Sequence, residues 1–200
     1  FTEGNGDYTV VGYQQIQGDQ YAALYSEILT VELENDFLPF LYPNQYVNFT
    51  PDSKASQLAI SLIDEDTVDV DALQQIYDYV VSNLTYDYEK ADTVTTGYLP
   101  DVDETLKTGT GICFDYAALT TAMLRSCDIP CKLQIGYAGD IKHAWIDVYI
   151  RSKGWVNQAV SFKGDTWTLM DPTFDSNSDD KEAIQDYIGD ESNYTVQFTR

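Results

Sequence analysis

The chain changes its hydrophobic period at Pro130, and that switch limits the fold more than any other feature. Upstream, apolar residues recur every three or four positions. Downstream, "CKLQIGYAG" (131–139), "KHAWIDVYI" (142–150) and "TWTLMDPTF" (166–174) alternate as strands do, with turn residues in "RSKGW" and "FKGDTW" between them. Helices followed by a run of antiparallel strands predict an α+β fold in which a central helix packs on one sheet. A chain of 200 residues is long enough for one domain with a substantial core.

The helical half reads in pieces. After the loose, glycine-bearing residues 1–15, residues 17–33 put Tyr21, Leu24, Tyr25, Ile28 and Leu29 on one helical face and predict a helix. Pro39, Pro43 and Pro51 make 38–53 a connector, and Ser53 reads as the N-cap of a helix over 54–64. Residues 67–89 predict a stronger helix, with Leu73, Ile76, Tyr77, Val80, Val81 and Leu84 as its apolar stripe and acids near its start. Residues 90–111 show no period and predict a long polar loop. The central helix is expected from Ile112 to Ser126, burying Ala117, Leu119 or Thr120, Met123 and Leu124. Residues 175–200 read as a polar tail with one short amphipathic piece.

The formal charge is −22, with 17 acids against Lys54 and Lys90 in the first hundred residues. Such a surface repels phosphates and anionic headgroups, which argues against nucleic acid and membrane surfaces as partners. No apolar run approaches the ~18–20 residues that cross a bilayer. The chain starts at Phe1, from which removal of an N-terminal targeting segment and an extracellular or cell-surface location are expected. Three cysteines, an odd count, do not suggest a disulfide framework.

Three residues could carry chemistry. Cys113, behind Gly109 and Gly111 in "TGTGICFDYA", falls at a helix start, where open N–H groups and the helix dipole stabilise a thiolate. By itself it reads equally as a small apolar residue in a packed helix. His143, the chain's one histidine, is the available base that titrates near neutral pH. Asp171, ending an apolar strand before Pro172, is suited to hold an imidazole tautomer. A zinc site fails on count, with one histidine and no close CxxC pair.

Taken in order, "GTGICFDYAALTTAMLRSCDIPCKLQIGYAG", "KHAWIDVYI" and "WTLMDPTFD" resemble the three core blocks of the transglutaminase-like superfamily: its G-x-G-x-C-x-x-[YF]-A helix, its H-A-W strand and its D-P-T turn. The likeness, of a bacterial single-domain type, spans residues 70–176. It implies a papain-like α+β core with Cys113 as nucleophile, His143 as general base and acid, and Asp171 as the orienting carboxylate. The implied chemistry is cysteine-dependent acyl transfer on protein or peptide amides through a thioester, needing no cofactor. Hydrolysis is favoured slightly over transamidation, because a small frame offers no obvious exclusion of water. The alternative is a non-catalytic protein- or peptide-binding module on the same fold. The chain departs from the simplest family pattern in a longer segment, 151–165, read as an extra hairpin walling the site. The expected organisation is 1–69 as a helical extension, 70–176 as catalytic core and 177–200 as an acidic tail, all in one structural domain.

Around that core, the Cys113 N–H is the expected oxyanion donor. Tyr98, Gly111 and Trp145 are candidates for oxyanion or substrate binding, and Trp145 is also expected to pack under His143. Asp115 is read as a brace for a neighbouring loop, and Cys127 and Cys131 as buried small residues. Asp175, Asn177, Asp179 and Asp186 match positions 1, 3, 5 and 12 of a calcium loop, but Asp180 replaces its turn glycine; they are a weak metal candidate. Oligomeric state is not legible.

Overall fold

A computed structural model describes residues 1–64, 67–157, 160–163, 166–169 and 194–200. The chain forms two compact units, residues 1–39 and 40–200, so the division falls inside the segment read above as one helical extension.

The first unit corrects the reading of residues 17–33. Instead of a helix there is an antiparallel hairpin of β1 (Gly6–Gln17) and β2 (Gln20–Val31), which also takes up most of the supposedly loose lead. Its two-residue loop begins at Gly18, which has φ 53°, the left-handed conformation that glycine allows there. Tyr8 pairs with Leu29 and Gly12 with Tyr25, and the register slips between Gly12 and Tyr13, where Leu24 is the extra residue. That bulge accounts for the adjacent Leu24 and Tyr25, while Ile28 and Leu29 stand on opposite faces of a regular stretch. Outside the strands, the Asn5 side chain accepts from the Leu33 N–H at 2.6 Å.

In the second unit α1 (Lys54–Leu62) and α2 (Asp69–Asn83) form where their stripes predicted. Leu73, Ile76, Tyr77, Val80 and Leu84 are buried and Val81 is half-buried. Ser53 occupies the N-cap position of α1, but its hydroxyl accepts from the Thr50 N–H instead of capping. The capping carboxylate comes from Asp103, which accepts from the Lys54 and Ala55 N–H groups at 3.0 and 2.9 Å.

The expected loop 90–111 is largely ordered. After the short strand β3 (Thr85–Tyr86) come α3 (Tyr88–Thr93) and α4 (Val102–Thr108), then β4 (Thr110–Gly111), parallel to β3. Caps rather than stripes make these helices. Asp87 accepts from the Lys90 N–H at 2.8 Å, Asp101 from those of Asp103 and Glu104, and Gly109 ends α4 at φ 65°.

The central helix α5 (Cys113–Ser126) is buried almost throughout and packs on α1, α2 and α4. It ends in a Schellman motif: Ile129 N–H donates to the Leu124 carbonyl and Asp128 N–H to that of Arg125, with Asp128 in the left-handed region at φ 57°. Then follow β5 (Cys131–Ala138), β6 (Ile141–Ile150), β7 (Gly154–Val156), β8 (Val160–Lys163), β9 (Thr166–Leu169) and β10 (Tyr194–Thr199). The main sheet has the antiparallel order β10-β5-β6-β7, while β8 and β9 pair with each other. The segment 151–165 is therefore not one hairpin: its first strand extends the main sheet and its second pairs with β9. The last residues of the expected tail form the sheet's edge strand, β10, in keeping with the alternation in "YTVQFT".

The α5-facing side of the sheet carries Leu133, Ala144, Ile146, Val148 and Ile150, which join Leu119, Ala122, Met123 and Leu124 in one apolar cluster. Burying a side chain of this size contributes about 1.5–3 kcal/mol. Small residues such as Ala117, Ala118 and Ala122, all buried, let the helix seat closely.

Candidate active site

Cys113 is the first residue of α5, and its thiol is half-buried. The segment before it is held as a short parallel ladder: Thr85 N–H donates to the Gly109 carbonyl and Asp87 N–H to that of Gly111, each at 2.9 Å. A side chain at Gly111 would put its Cβ 2.6 Å from that of Asp115, so the approach to α5 requires glycine there. The tail of the first turn is closed by Asp115 and Tyr116 N–H groups donating to the Ile112 carbonyl. The Cys113 and Phe114 N–H groups precede any intrahelical acceptor and point out of the helix start, with the positive end of its dipole. A thiolate or an oxyanion fits such a setting.

Asp115, two residues past the thiol, is wholly buried. Its Oδ2 accepts from the Ile112 N–H at 2.8 Å and from Lys90 Nζ at 2.7 Å. Its Oδ1 accepts from the Tyr98 hydroxyl at 2.5 Å, and Lys90 also donates to the Tyr98 oxygen at 2.7 Å. Asp115 thus ties α3 and the 94–101 loop to the helix start, the bracing expected of it. The Tyr98 hydroxyl, read from the sequence as a candidate for oxyanion or substrate binding, donates its one proton to Asp115 in this structure. Burial, then the Asp115 contact, raise the Tyr98 pKa above the usual tyrosine value. At Lys90 burial works against the charge, but the hydrogen bonds to Asp115 and Tyr98 and the Asp115 charge outweigh it and hold the pKa above the usual lysine value.

His143 lies on β6 opposite Gly136 of β5 and is buried. Its row on the strand is the one with Trp145 and Asp147, alternating with the α5-facing row of Ala144 and Ile146. Trp145 stacks beside it, ring centroids 6.2 Å apart and planes within 20°, and Tyr194 of β10 stands 6.5 Å away. Tyr194 also meets the Trp145 edge at 5.1 Å. In the same row Gln134 donates to Asp147 Oδ2 at 2.5 Å and accepts from Thr199 Oγ1. The packing of α5 on β5 and β6 ties the helix that starts with Cys113 to the strand that carries His143. Asp171 lies outside the described residues, as do Asp175, Asn177, Asp179 and Asp186. Among the described residues, no group of three or more His, Cys, Asp or Glu side chains could hold a metal ion.

All three cysteines are free thiols. Burial pushes Cys127 up to about 11 and Cys131 up to about 12. Sequence reasoning missed Lys90 and Arg125. Arg125 is buried, and its guanidinium donates to the carbonyls of Cys131, Tyr42 and Arg200, clasping the end of α5 to the sheet and to the 40–49 segment. Burial lowers its pKa to about 10, which still leaves it cationic at neutral pH. The signal for Lys90 was present: an acid in the first turn of an apolar helix needs a partner when buried, and few bases are on offer.

The family model described as Transglutaminase-like superfamily matches residues 56–172, more than half the chain and a span that takes in Cys113, His143 and Asp171. The chain belongs to the transglutaminase-like superfamily. Its α+β architecture, with the cysteine opening the central helix over an antiparallel sheet, is the papain-like core of that superfamily. A curated relative, UPF0252 protein MJ1282 of Methanocaldococcus jannaschii, is 30% identical over 113 residues, 53% of this chain. The chain spans only 30% of that relative's length. A crystal structure of a candidate cysteine protease from Cytophaga hutchinsonii shares the fold with a TM-score of 0.55 at 18% identity, covering 97% of this chain and 69% of that one. The periplasmic domain of TgpA from Pseudomonas aeruginosa aligns at 19% identity and TM-score 0.46, over 64% of this chain and 45% of that one. Among the described residues, no helix of this transglutaminase-like chain is long and apolar enough to cross a membrane.

Proposed function

We propose that this member of the transglutaminase-like superfamily is a cysteine-dependent acyl-transfer enzyme acting on protein or peptide amide bonds, with hydrolysis slightly favoured over transamidation. The observation that carries the reading is a half-buried thiol on the first residue of the central helix, inside a superfamily match that also spans His143 and Asp171. The Cys113 thiolate attacks the amide carbonyl carbon, the C–N bond breaks, and His143 passes the thiol's proton to the leaving amine. Asp171 orients the imidazole. The acyl group is then held as a thioester on Cys113, and the Cys113 N–H faces the oxyanion. His143 takes a proton from water, whose oxygen attacks the thioester and releases the acid; an amine in place of water gives a new amide.

The test is turnover of a peptide-amide library with and without a primary amine, comparing the wild type with Cys113→Ala, His143→Ala and Asp171→Asn. Cleavage lost in all three variants supports the reading, and incorporated amine moves the balance to transamidation. Undiminished cleavage in Cys113→Ala contradicts it. Peptide binding without turnover would favour the binding-module alternative.

A further inference from the structure

Asp115 puts a buried carboxylate in the first turn of α5, the helix that Cys113 opens. Left bare, a buried carboxylate there opposes a thiolate, since like charges disfavour each other's ionised form. The fold does not leave it bare. Lys90 reaches it from α3 at 2.7 Å, with its side chain 29% exposed against 0% for Asp115, and Tyr98 closes the triangle.

We propose that Lys90 and Tyr98 are positioning residues for Cys113, acting through Asp115: Lys90 counters the carboxylate charge in the first turn of the helix that Cys113 opens, and Tyr98 fixes that carboxylate by holding its other oxygen. The inference rests on the nucleophile reading of Cys113. Each group has one task. Asp115 ties down the Ile112 amide and so sets the first turn, while Lys90 removes the electrostatic penalty of having an acid do this. The Lys90 ammonium also lies 4.5 Å over the Tyr98 ring, a second contact that keeps it in place.

Other charged groups on the elements packed against α5 are either exposed, as Lys54, Asp71, Asp78 and Lys142 are, or engaged elsewhere. Asp103 of α4 caps α1, Glu104 holds Lys107, and Asp69 of α2 holds Arg151. On the sheet, Lys132 sits over the Phe40 and Trp155 rings and Asp147 accepts from Gln134. Asp87, next to the ladder, caps α3, and His143 of β6 is the titratable group that the proposed reaction itself uses.

The experiment is the pH profile of Cys113 carboxamidomethylation by iodoacetamide, read by mass spectrometry on the Cys113 peptide of the whole chain without substrate. Lys90→Met moves the midpoint to higher pH by about one unit, so the rate below the midpoint falls about tenfold. Lys90→Arg restores the wild-type profile, and Tyr98→Phe, which keeps both charges, shifts it less than half as far as Lys90→Met. Asp115→Asn moves the midpoint to lower pH, and the double variant Lys90→Met/Asp115→Asn returns it to the wild-type position. If Lys90→Met does not fold, Asp115→Asn and the double variant decide alone. An Asp115→Asn profile that coincides with the wild type overturns the inference, as do a double variant displaced from the wild-type position and a folded Lys90→Met with an unmoved midpoint. Shifted profiles in a protein that cleaves no amide uphold the charge compensation and sink the acyl-transfer reading. Cleavage with unshifted profiles does the reverse.

Discussion

Lys90 Nζ meets Asp115 Oδ2 at 2.7 Å, and the carboxylate it meets also receives the Tyr98 hydroxyl and the Ile112 amide. Three donors converge on one buried side chain. Asp115→Ala strands all of them, so it costs about 2–4 kcal/mol in urea unfolding. The Lys90 contribution has a defined pH window. A base whose folded pKa is raised gives stability that is complete below its unfolded value, ordinarily 10.5, and is lost as pH rises through the folded value. The gap in unfolding free energy between wild type and Lys90→Met is therefore constant across neutral pH and closes only above about 10.5.

Cysteine reactivity sorts by environment. With Cys127 held up at about 11 and Cys131 at about 12, neither offers much thiolate at neutral pH. Native protein labelled briefly with iodoacetamide at pH 7 carries one adduct, on Cys113, and unfolded protein carries three.

Two glycines are fixed by close approach. At Gly111 an added Cβ meets that of Asp115 at 2.6 Å, and at Gly136 it meets the Thr195 carbonyl oxygen at 1.9 Å and the Trp145 ring at 3.0 Å. Gly136→Ala pushes β10 off β5 and destabilises by about 2–3 kcal/mol, within the usual range for overpacking, seen as a lower Tm. Gly111→Ala costs less stability but slows Cys113 alkylation, because what must give way is the first turn of α5.

The hairpin unit has little interior. Tyr13, Ile16, Leu24, Tyr25 and Ile28 are all exposed on its two strands, and a two-stranded hairpin is marginal in water. Hydrogen exchange of β1 and β2 amides is therefore faster than that of β5 and β6 by at least about two orders of magnitude, about 2.7 kcal/mol in opening free energy.

The fold was most legible where one face is buried. In α2 and α5 apolar contacts enforce the 3.6 period, and in β5 and β6 they enforce the period of two, so Leu73, Ile76, Leu133 and Ile146 could be assigned from spacing alone. The hairpin reads as a helix from sequence because apolar residues lie on both faces of its strands, and the bulge at Leu24 breaks the alternation that would have marked β2. Its sign was the Gly18-Asp19 pair between two runs rich in tyrosine and β-branched residues. Helices α3 and α4 escaped because caps, not stripes, define them; Asp87, Asp101 and Gly109 were the cues. At the site, the ordered Cys, His and Asp blocks pointed to the superfamily. The hold of Lys90 on Asp115 bridges 25 positions, and no local pattern encodes it.

In the proposed reaction Cys113 carries the acyl group. Rapid acid quench of the protein mixed with a peptide ester, followed by intact-mass and peptide mass spectrometry, tests it directly. A transient acyl adduct is expected on the Cys113 peptide, absent in Cys113→Ala and longer-lived in His143→Ala. An adduct on another residue, or turnover that persists in Cys113→Ala, would contradict it.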